Sequence, residues 1–210
     1  MGRRSDLVLT RGSIARTALA ILDEEGAAAL TVRRLAARLG VQSPSLYNHV
    51  RSKNEILGAV IELIDEQIDK ECLDDPNWRR GITAFAISYR RTFQAHPDAL
   101  SLIAREAVET EQALGVYDAA LAALLRAGWP PERALQLLAS IEYLALGSAL
   151  VPFTGGFVRA PAEYADRYPS LALALGSASD LAAVDDVGFE RGLAALLRED
   201  PPGSGSATVT

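Results

Sequence analysis

Apolar residues recur at every third or fourth position over much of the chain, which is the spacing of amphipathic helices. One such set follows Thr31, a residue type that often caps a helix N-terminus, and consists of Val32, Leu35, Ala36 and Leu39. Gly40 comes next, and a residue without a Cβ suits the left-handed backbone of a sharp turn. The pattern predicts a helix up to residue 39 and a tight turn at Gly40.

A second short helix is predicted directly after this turn, beginning near Gln42 or Ser43 with serine as its cap and Pro44 at its first position. Leu46 and Val50 are four residues apart and form its buried side. The other side carries hydroxyl, amide and imidazole groups, from Ser43, Ser45, Tyr47, Asn48 and His49. Such groups suit base edges and phosphates better than a protein core.

Two short helices joined by a glycine turn form a helix-turn-helix, so the sequence points to DNA binding. In this arrangement the second helix enters the major groove with its N-terminal residues first. The expected base contacts are therefore Gln42, Ser43, Pro44 and Ser45. The expected phosphate contacts are Tyr47, His49 and Lys53, and Thr31 and Asn48 belong to the same candidate surface. The alternative is that these residues only cap and pack an ordinary helical hairpin.

Helical periodicity continues through the rest of the chain without a strand pattern. Further helices are predicted at about residues 11–25, 53–70, 78–94, 97–108, 111–127, 130–150 and 184–199. Residues 158–180 are ambiguous and read as a short helix within a long loop. We expect an all-α fold with a three-helix DNA-binding domain over 1–52, a connecting helix over 53–70, a larger ligand-binding and dimerisation domain over 71–199, and a disordered tail over 200–210.

The predicted helix over residues 131–151 is apolar or small at almost every position past Arg133. A helix that is apolar nearly all round must be buried nearly all round, and one core cannot cover each of its sides. A second copy of the chain is the simplest cover, and fully intramolecular packing is the alternative. Together with the helix over 184–199, this predicts a four-helix homodimer interface. Two symmetric heads would then read a palindromic operator whose half-sites lie about 34 Å, or a multiple of that, apart.

Length and composition fit one small and one larger helical core in a soluble, cytoplasmic protein. The 210 residues are 49% apolar, with no run of 18 uncharged apolar positions and no secretion signal at the N-terminus, so we expect no membrane association. The single cysteine, Cys72, is interpreted as a small apolar filler rather than a redox sensor, because no second thiol or ligand cluster accompanies it.

Charge is divided unevenly along the chain, although the total of −6 looks unfavourable for binding DNA. Residues 1–55 hold nine basic and five acidic side chains, a net charge of +4. Residues 56–210 hold twelve basic and twenty-two acidic side chains, a net charge of −10. A basic head attracts phosphates whatever the base sequence, and we expect binding to weaken steeply with salt. Arg3, Arg4 and Arg11 either add a basic arm or are simply solvated.

The run from Thr10 to about Gln67 resembles the N-terminal domain of the tetracycline-repressor (TetR) family. The family's pattern of leucine, tyrosine, histidine and lysine stands here without gaps as Leu46, Tyr47, His49 and Lys53. Arg33 matches a family position that contacts DNA, although it could also be plain surface, as Arg34 and Arg38 could be. The resemblance further implies a homodimer, double-stranded operator DNA as partner, and a connecting helix that couples a ligand pocket to the spacing of the DNA-binding heads.

Large side chains scattered among the alanines of the body could line an apolar pocket or could simply fill a core. The candidates are Phe85, Tyr89, Phe93, Leu102, Tyr117, Leu121, Trp129, Tyr143, Phe153 and Phe157. They favour a small-molecule effector that is apolar or weakly polar. The chain departs from tetracycline-binding relatives, since Ile103 and Glu106 stand where a metal–drug site would need an imidazole and a hydroxyl. Tetracycline is therefore not the expected effector.

The inventory of reactive side chains does not favour an enzyme. One cysteine and two histidines allow no close catalytic or metal-binding cluster, so we expect no catalytic residues, no cofactor and no metal. His96 is interpreted as closing a helix end, and the pairs Asp74–Asp75 and Asp185–Asp186 as solvated caps. Two functions remain: a ligand-responsive dimeric transcriptional repressor, and a ligand-independent DNA-binding regulator whose body serves only dimerisation.

Overall fold

The computed structural model describes residues 9–103 and 110–202, and over these ranges the fold is helical and contains no strand. The helices are α1 Arg11–Glu25, α2 Val32–Leu39, α3 Ser43–Leu46, α4 Lys53–Asp65, α5 Trp78–Gln94, α6 Pro97–Ile103, α7 Glu111–Arg126, α8 Pro131–Leu150, α9 Pro169–Ser177 and α10 Leu181–Leu196. Short 3₁₀ helices lie at Ala27–Ala29, Glu71–Asp74, Thr154–Gly156 and Pro161–Tyr164. The expected all-α fold is confirmed.

Several expectations from the sequence lie outside the described residues. They are the basic arm at Arg3 and Arg4, Glu106 of the tetracycline comparison, the end of the helix predicted to reach residue 108, and residues 203–210 of the predicted tail. Within the described part of the tail, Pro201 is buried and Asp200 pairs with Arg79 at 2.7 Å.

The chain divides into two compact units, Met1–Glu71 with Arg91–Ala120, and Cys72–Arg90 with Leu121–Thr210. The domain boundaries expected near residues 52 and 70 stay predictions. In the first unit, α1 packs against α2, α4 and α6, and α4 also packs against α6. The fully buried side chains of this unit stand at helical spacing on those elements, and include Ile14, Ile21, Leu22, Leu35, Leu46, Val60 and Ile64.

In the second unit, α10 packs against α8, and α9 packs against the 3₁₀ helix Pro161–Tyr164. Ile82, Leu124, Ile141 and Leu193 are among its fully buried side chains. The opposite side of α8 leaves large apolar residues exposed, namely Leu135, Tyr143 and Leu150. The described segment Pro131–Gly156 is long and apolar enough to span a membrane, but this is weak evidence because a core helix of a soluble protein passes the same test.

Helices α4 and α10 have ends that differ from the sequence-based expectation. Helix α4 ends at Asp65 instead of about residue 70, because the N–H groups of Gln67 and Ile68 bond three residues back and tighten the chain into turns. Helix α10 begins at Leu181 instead of residue 184 and ends at Leu196 instead of residue 199. The interpretation of Asp185 and Asp186 as solvated caps is therefore wrong, since both lie inside α10 and both have partners.

Candidate DNA-binding site

The turn between α2 and α3 is fixed by its backbone. Gly40 has φ of 70° and ψ of 25°, in the left-handed region that favours glycine. Its N–H donates to the carbonyl of Ala37 at 3.2 Å, and the N–H of Val41 donates to that of Ala36 at 3.0 Å. The hydroxyl of Thr31 accepts a hydrogen bond from a first-turn backbone N–H at 3.1 Å. The predicted turn and helix cap are both confirmed.

The start of α3 differs slightly from the expectation. Gln42 occupies the capping position without a side-chain hydrogen bond, Ser43 is the first helical residue and Pro44 the second. Ser43 as cap is therefore wrong, because the backbone bond from Ser45 N–H to Gln42 O, at 2.9 Å, already begins the helix there. Leu46 on the opposite side is buried as predicted.

The polar side of α3 faces solvent. Tyr47 is 54% exposed even though it is a large aromatic residue. Ser43 and Ser45 are half-buried, and the other candidates are exposed: Thr31, Arg33, Gln42, Pro44, Tyr47, Asn48, His49 and Lys53. The ten candidate DNA contacts lie on or next to α2, α3 and the first turn of α4, with Tyr47, Asn48 and His49 in the turn that follows α3. Hydroxyl, amide, imidazole and ammonium groups in such an array can bind base edges and phosphates.

The arginines of α2 divide into paired and unpaired ones. Arg34 donates from Nε and Nη2 to the two carboxylate oxygens of Glu25, both at 2.8 Å. Arg38 pairs with Glu25 at 2.8 Å and also with Glu24. The hydrogen bond from Arg34 holds the pKa of Glu25 below its ordinary value. These residues join the ends of α1 and α2, a role that sequence reasoning missed because no periodic signal links them.

Three other basic residues near the turn have no such partner. In the part of the chain that the structure describes, no ion pair engages Arg33, Arg51 or Lys53. Arg33 lies in the first turn of α2, where the unbonded backbone N–H groups also favour an anion. On α2, Arg33 is therefore the arginine whose charge is available to a phosphate.

The start of α6 is tied to the end of α1 within the first unit. His96 Nδ1 lies 3.0 Å from both carboxylate oxygens of Asp23. Asp98 Oδ1 accepts a hydrogen bond from the N–H of Ala27 at 3.2 Å. The His96 ring thus meets a carboxylate and not the carbonyl groups of a helix end, which corrects the expectation.

The candidate effector residues are spread over both units. In the second unit, Phe85 and Tyr89 are buried with ring centroids 5.9 Å apart, and Leu121 is half-buried. Tyr143 and Phe153 of the same unit are 76% and 66% exposed. In the first unit, Phe93 is buried, and Leu102 and Tyr117 are half-buried.

The described residues of the second unit also line surface depressions, of which two are large. One, of about 380 Å³, lies between Leu73, Trp78 and Arg126, and the other, of about 440 Å³, runs along the first half of α10. Neither of these two is lined by a candidate effector residue. Among the described residues, no group of three His, Cys, Asp or Glu side chains is arranged to hold a metal ion.

Known proteins match both parts of the chain. The family profile described as "Bacterial regulatory proteins, tetR family" matches residues 14–60, and the profile "Tetracyclin repressor-like, C-terminal domain" matches residues 73–198. The tetracycline repressor protein class A from transposon 1721 of Escherichia coli is 32% identical over 195 residues, which cover 90% of this chain and 89% of that protein. An HTH-type transcriptional regulator of Saccharopolyspora erythraea is 30% identical over 145 residues, which cover 69% of this chain and 61% of that protein.

Solved structures agree with these matches. The Streptomyces coelicolor TetR family protein ActR, in complex with actinorhodin, has a TM-score of 0.74 and 25% identity, and covers 91% of this chain and 96% of its own. A TetR variant from Acinetobacter baumannii, in complex with minocycline, has a TM-score of 0.68 and 27% identity, and covers 90% of this chain and 94% of its own. Because one profile alone spans more than half of the sequence, and the similarity to these proteins extends over nearly all of it, the chain belongs to the TetR family of bacterial transcriptional regulators.

Proposed function

We propose that the chain is a ligand-responsive dimeric repressor that binds a palindromic operator and is released from it by a small apolar or weakly polar effector. The observation that carries this proposal is the solvent-facing polar side of α3 beside unpaired basic residues. A ligand-responsive transcriptional repressor is also what the relatives support, since they include tetracycline repressors and solved regulators with bound minocycline or actinorhodin.

In this proposal the helix-turn-helix of each protomer enters one major groove. The first residues of α3, from Gln42 to Ser45, contact base edges, because the N-terminal end of such a helix enters the groove first. Tyr47, His49 and Lys53 contact phosphates on one side of the groove, and Thr31 and Arg33 contact phosphates from the start of α2. Asn48 completes this surface.

The homodimer would bury the apolar surface that α8 and α10 leave exposed on one protomer. Its members recur at helical spacing, and include Leu135, Tyr143, Gly147 and Leu150 on α8 and Val184, Val187 and Gly188 on α10. Burying a large apolar side chain is worth about 1.5 to 3 kcal/mol, so a second copy that covers this surface gains a substantial free energy. A twofold axis through this four-helix contact would present two heads to a palindromic operator.

The effector would contact buried and half-buried aromatic and aliphatic side chains of the body. Phe85, Tyr89 and Phe93 are buried, and Leu102, Tyr117 and Leu121 are half-buried, which suits a mainly apolar ligand. Tyr143 and Phe153 could contact it only from the protomer surface. Ile103 can neither coordinate a metal nor donate a hydrogen bond from its side chain, so we propose an effector other than tetracycline.

The remaining assignments follow from the same family. Residues 1–52 form the DNA-binding domain, 53–70 the connecting segment that contains α4, 71–199 the ligand-binding and dimerisation domain, and 200–210 a tail. The curated relatives are transcriptional regulators and not enzymes, and we assign this chain no catalytic role, cofactor or metal. We place it in the cytoplasm with its DNA partner. A regulator whose body serves only dimerisation is not favoured, because relatives have been solved with small molecules bound.

The DNA contact is tested by replacing Tyr47 with alanine. We expect Tyr47→Ala to weaken operator binding while the dimer and its thermal melting stay nearly unchanged, because an exposed ring contributes little to the fold. Fluorescence anisotropy on a labelled operator duplex measures the affinity, and sedimentation measures the dimer. Tyr168→Ala, which removes a similarly exposed ring from the second unit, is the matched control and should bind DNA normally. Loss of the dimer, or full operator affinity, in Tyr47→Ala would contradict the assignment.

The effector response is tested through its thermodynamic reciprocity. If an effector weakens operator binding by some factor, operator DNA must weaken effector binding by the same factor, typically about 5- to 150-fold. Small apolar and weakly polar compounds that release the protein from its operator are titrated by calorimetry with and without the duplex. If the effector bound with equal affinity in both titrations, it would not release the protein from DNA, and the proposed ligand response would be wrong.

A further inference from the structure

Helix α10 is poorly fixed by apolar packing at its N-terminal end. Its described buried apolar side chains are Phe189 and Leu193, one turn apart, and Leu197, just past the end of the helix, continues the same seam. At its C-terminal end the contact is close, because a Cβ on Gly192 would lie 3.1 Å from Cδ2 of Leu144 on α8. Among the described side chains of α10, no apolar one before Phe189 is buried. The rotation of the first two turns of α10 about the helix axis must therefore be set by other contacts.

Asp186 continues the seam one turn before Phe189, but it is a carboxylate whose side chain is 66% exposed. Its Oδ1 accepts a hydrogen bond from Nη1 of Arg90 on α5 at 2.7 Å. Arg90 is 5% exposed, its Nε donates to the hydroxyl of Ser148 on α8 at 2.9 Å, and its guanidinium lies 4.6 Å from the ring centroid of Phe189. One guanidinium therefore contacts α8 and two successive turns of α10.

Asp185 fixes the same turn of α10 from a different side. Its Oδ1 accepts from the N–H of Phe153 at 2.8 Å, and its Oδ2 accepts from the N–H of Thr154 at 3.2 Å and from the Thr154 hydroxyl. Successive residues of a helix point about 100° apart, so two adjacent aspartates held by different elements define a rotation that neither defines alone. The opposite side of the helix, with Val184 and Val187, is left facing solvent.

We propose that Arg90 is a positioning residue for self-association: through Asp186 it sets the rotation of α10 and so keeps Val184 and Val187 facing a second copy of the chain. The inference rests on the proposed homodimer. Arg90 itself lies inside the protomer and does not touch the partner. Its role is to present an interface made of small and β-branched side chains, which tolerate little rotational error.

Because Arg90 is buried and Asp186 is exposed, replacing one or the other should change the stability of the protomer by different amounts. Arg90→Met removes the buried charge and leaves Asp186 exposed and solvated, so no uncompensated charge stays buried and little stability should be lost. Asp186→Asn leaves a buried guanidinium without its counter-charge, which should lower stability more. If Arg90 and Asp186 only stabilised the protomer, Asp186→Asn would weaken the dimer more than Arg90→Met does. A positioning residue predicts that Arg90→Met weakens the dimer without lowering stability.

The test measures dimer dissociation by sedimentation and unfolding by circular dichroism on the full chain. We expect Arg90→Met to keep the helical content and to weaken dimerisation at least tenfold, and Arg90→Lys to restore part of the loss. The Arg90→Met/Asp186→Asn double variant should dimerise no more weakly than Arg90→Met alone, since the two residues act as one unit. Arg91→Met, an identical change at the exposed neighbouring position, is the matched control and should dimerise normally.

The rotation is measured separately with a nitroxide label. Ala183→Cys, at an exposed position of the first turn of α10 that is not among the interface residues, carries the label in a Cys72→Ser background, and the distance between labels in the dimer is recorded by pulsed electron resonance. We expect a narrow distribution with Arg90 and a broadened or shifted one with Arg90→Met. Unchanged distances together with unchanged dimer strength overturn the inference, and so does unfolding of both Arg90→Met and Arg90→Lys. A monomeric unaltered protein would instead refute the proposed homodimer, and the inference with it.

Discussion

Replacing Asp65 with asparagine should change the pH dependence of stability in a direction that the structure specifies. Asp65 lies in the last turn of α4 and is 4% exposed, and no described residue gives its Oδ2 a hydrogen bond. Burial raises the pKa of this carboxyl from 3.8 to about 6, partly offset by Lys70 and reinforced by Glu62. At neutral pH the folded protein therefore carries a buried carboxylate that is poorly solvated.

The magnitude follows from the two pKa values of this residue. At pH values between the unfolded pKa and the folded pKa, Asp65 is protonated in the native state and ionised in the unfolded chain. Raising the pH through this range therefore favours unfolding. A pKa difference of about 2.2 corresponds to about 3 kcal/mol, of which about 2 kcal/mol is lost between pH 4.5 and pH 8. Asparagine does not ionise, so Asp65→Asn lacks this loss. The amide N–H groups of the new asparagine need hydrogen-bond acceptors, and any cost of leaving them without one is the same at every pH. This cost changes the free energy of unfolding by a constant and leaves its dependence on pH unchanged.

The assay is urea unfolding followed by circular dichroism at one protein concentration and at several pH values from 4.5 to 8. The free energy of unfolding of Asp65→Asn, relative to the unaltered protein, should rise by about 2 kcal/mol across this range. Asp118→Asn, an exposed position on α7, is the control and should show no such trend. A difference that is constant with pH, or that grows towards acid, would refute the reasoning about a buried, raised-pKa carboxyl.

Two further predictions concern the helix-turn-helix. Gly40→Ala should lower the free energy of unfolding by about 1 kcal/mol, measured by urea titration, because a Cβ there meets no atom within 4 Å and only the left-handed backbone opposes it; unchanged stability would contradict this. Arg33→Ala should reduce the slope of log affinity against log salt on operator DNA by about 1 per protomer, whereas Arg34→Ala should leave it nearly unchanged; equal effects would show that the pairing with Glu25 does not persist on DNA.

Sequence predicts well those features that depend only on residues within about four positions of one another. Thr31 as a cap and Gly40 as a left-handed turn need only their immediate neighbours, and both are found where expected. The span of α5, Trp78–Gln94, follows from its own periodicity and a polar segment before it. In each case the amino-acid type and the local hydrogen bonds suffice, whatever the rest of the fold does.

The features that sequence could not predict depend on partners far along the chain. Asp186 was interpreted as a solvated cap, but its partner Arg90 lies 96 residues away, and no spacing rule links the two. Tyr143 is a candidate pocket residue because it is aromatic, and its 76% exposure on a single protomer could not be predicted from its residue type. A helix that is apolar on nearly all sides carries no signal of which side meets its own core. Only the packing of α8 against α10 selects it.

The charge that the DNA-binding head can offer to DNA also depends on contacts that the sequence does not reveal. The formal charge of +4 for residues 1–55 counts Arg34 and Arg38 as equal to Arg33, yet both are paired with carboxylates at the end of α1. Of the basic residues described on α2 and from α3 to the start of α4, those left unpaired are Arg33, Arg51 and Lys53. If each of these three cations neutralises one phosphate, the salt slope of a dimer is about −5, and the two paired arginines would raise its magnitude to about 9 if they also bound phosphates. The salt dependence of operator binding therefore reports which guanidinium groups are available, a property that depends on ion-pair geometry and cannot be obtained from net charge.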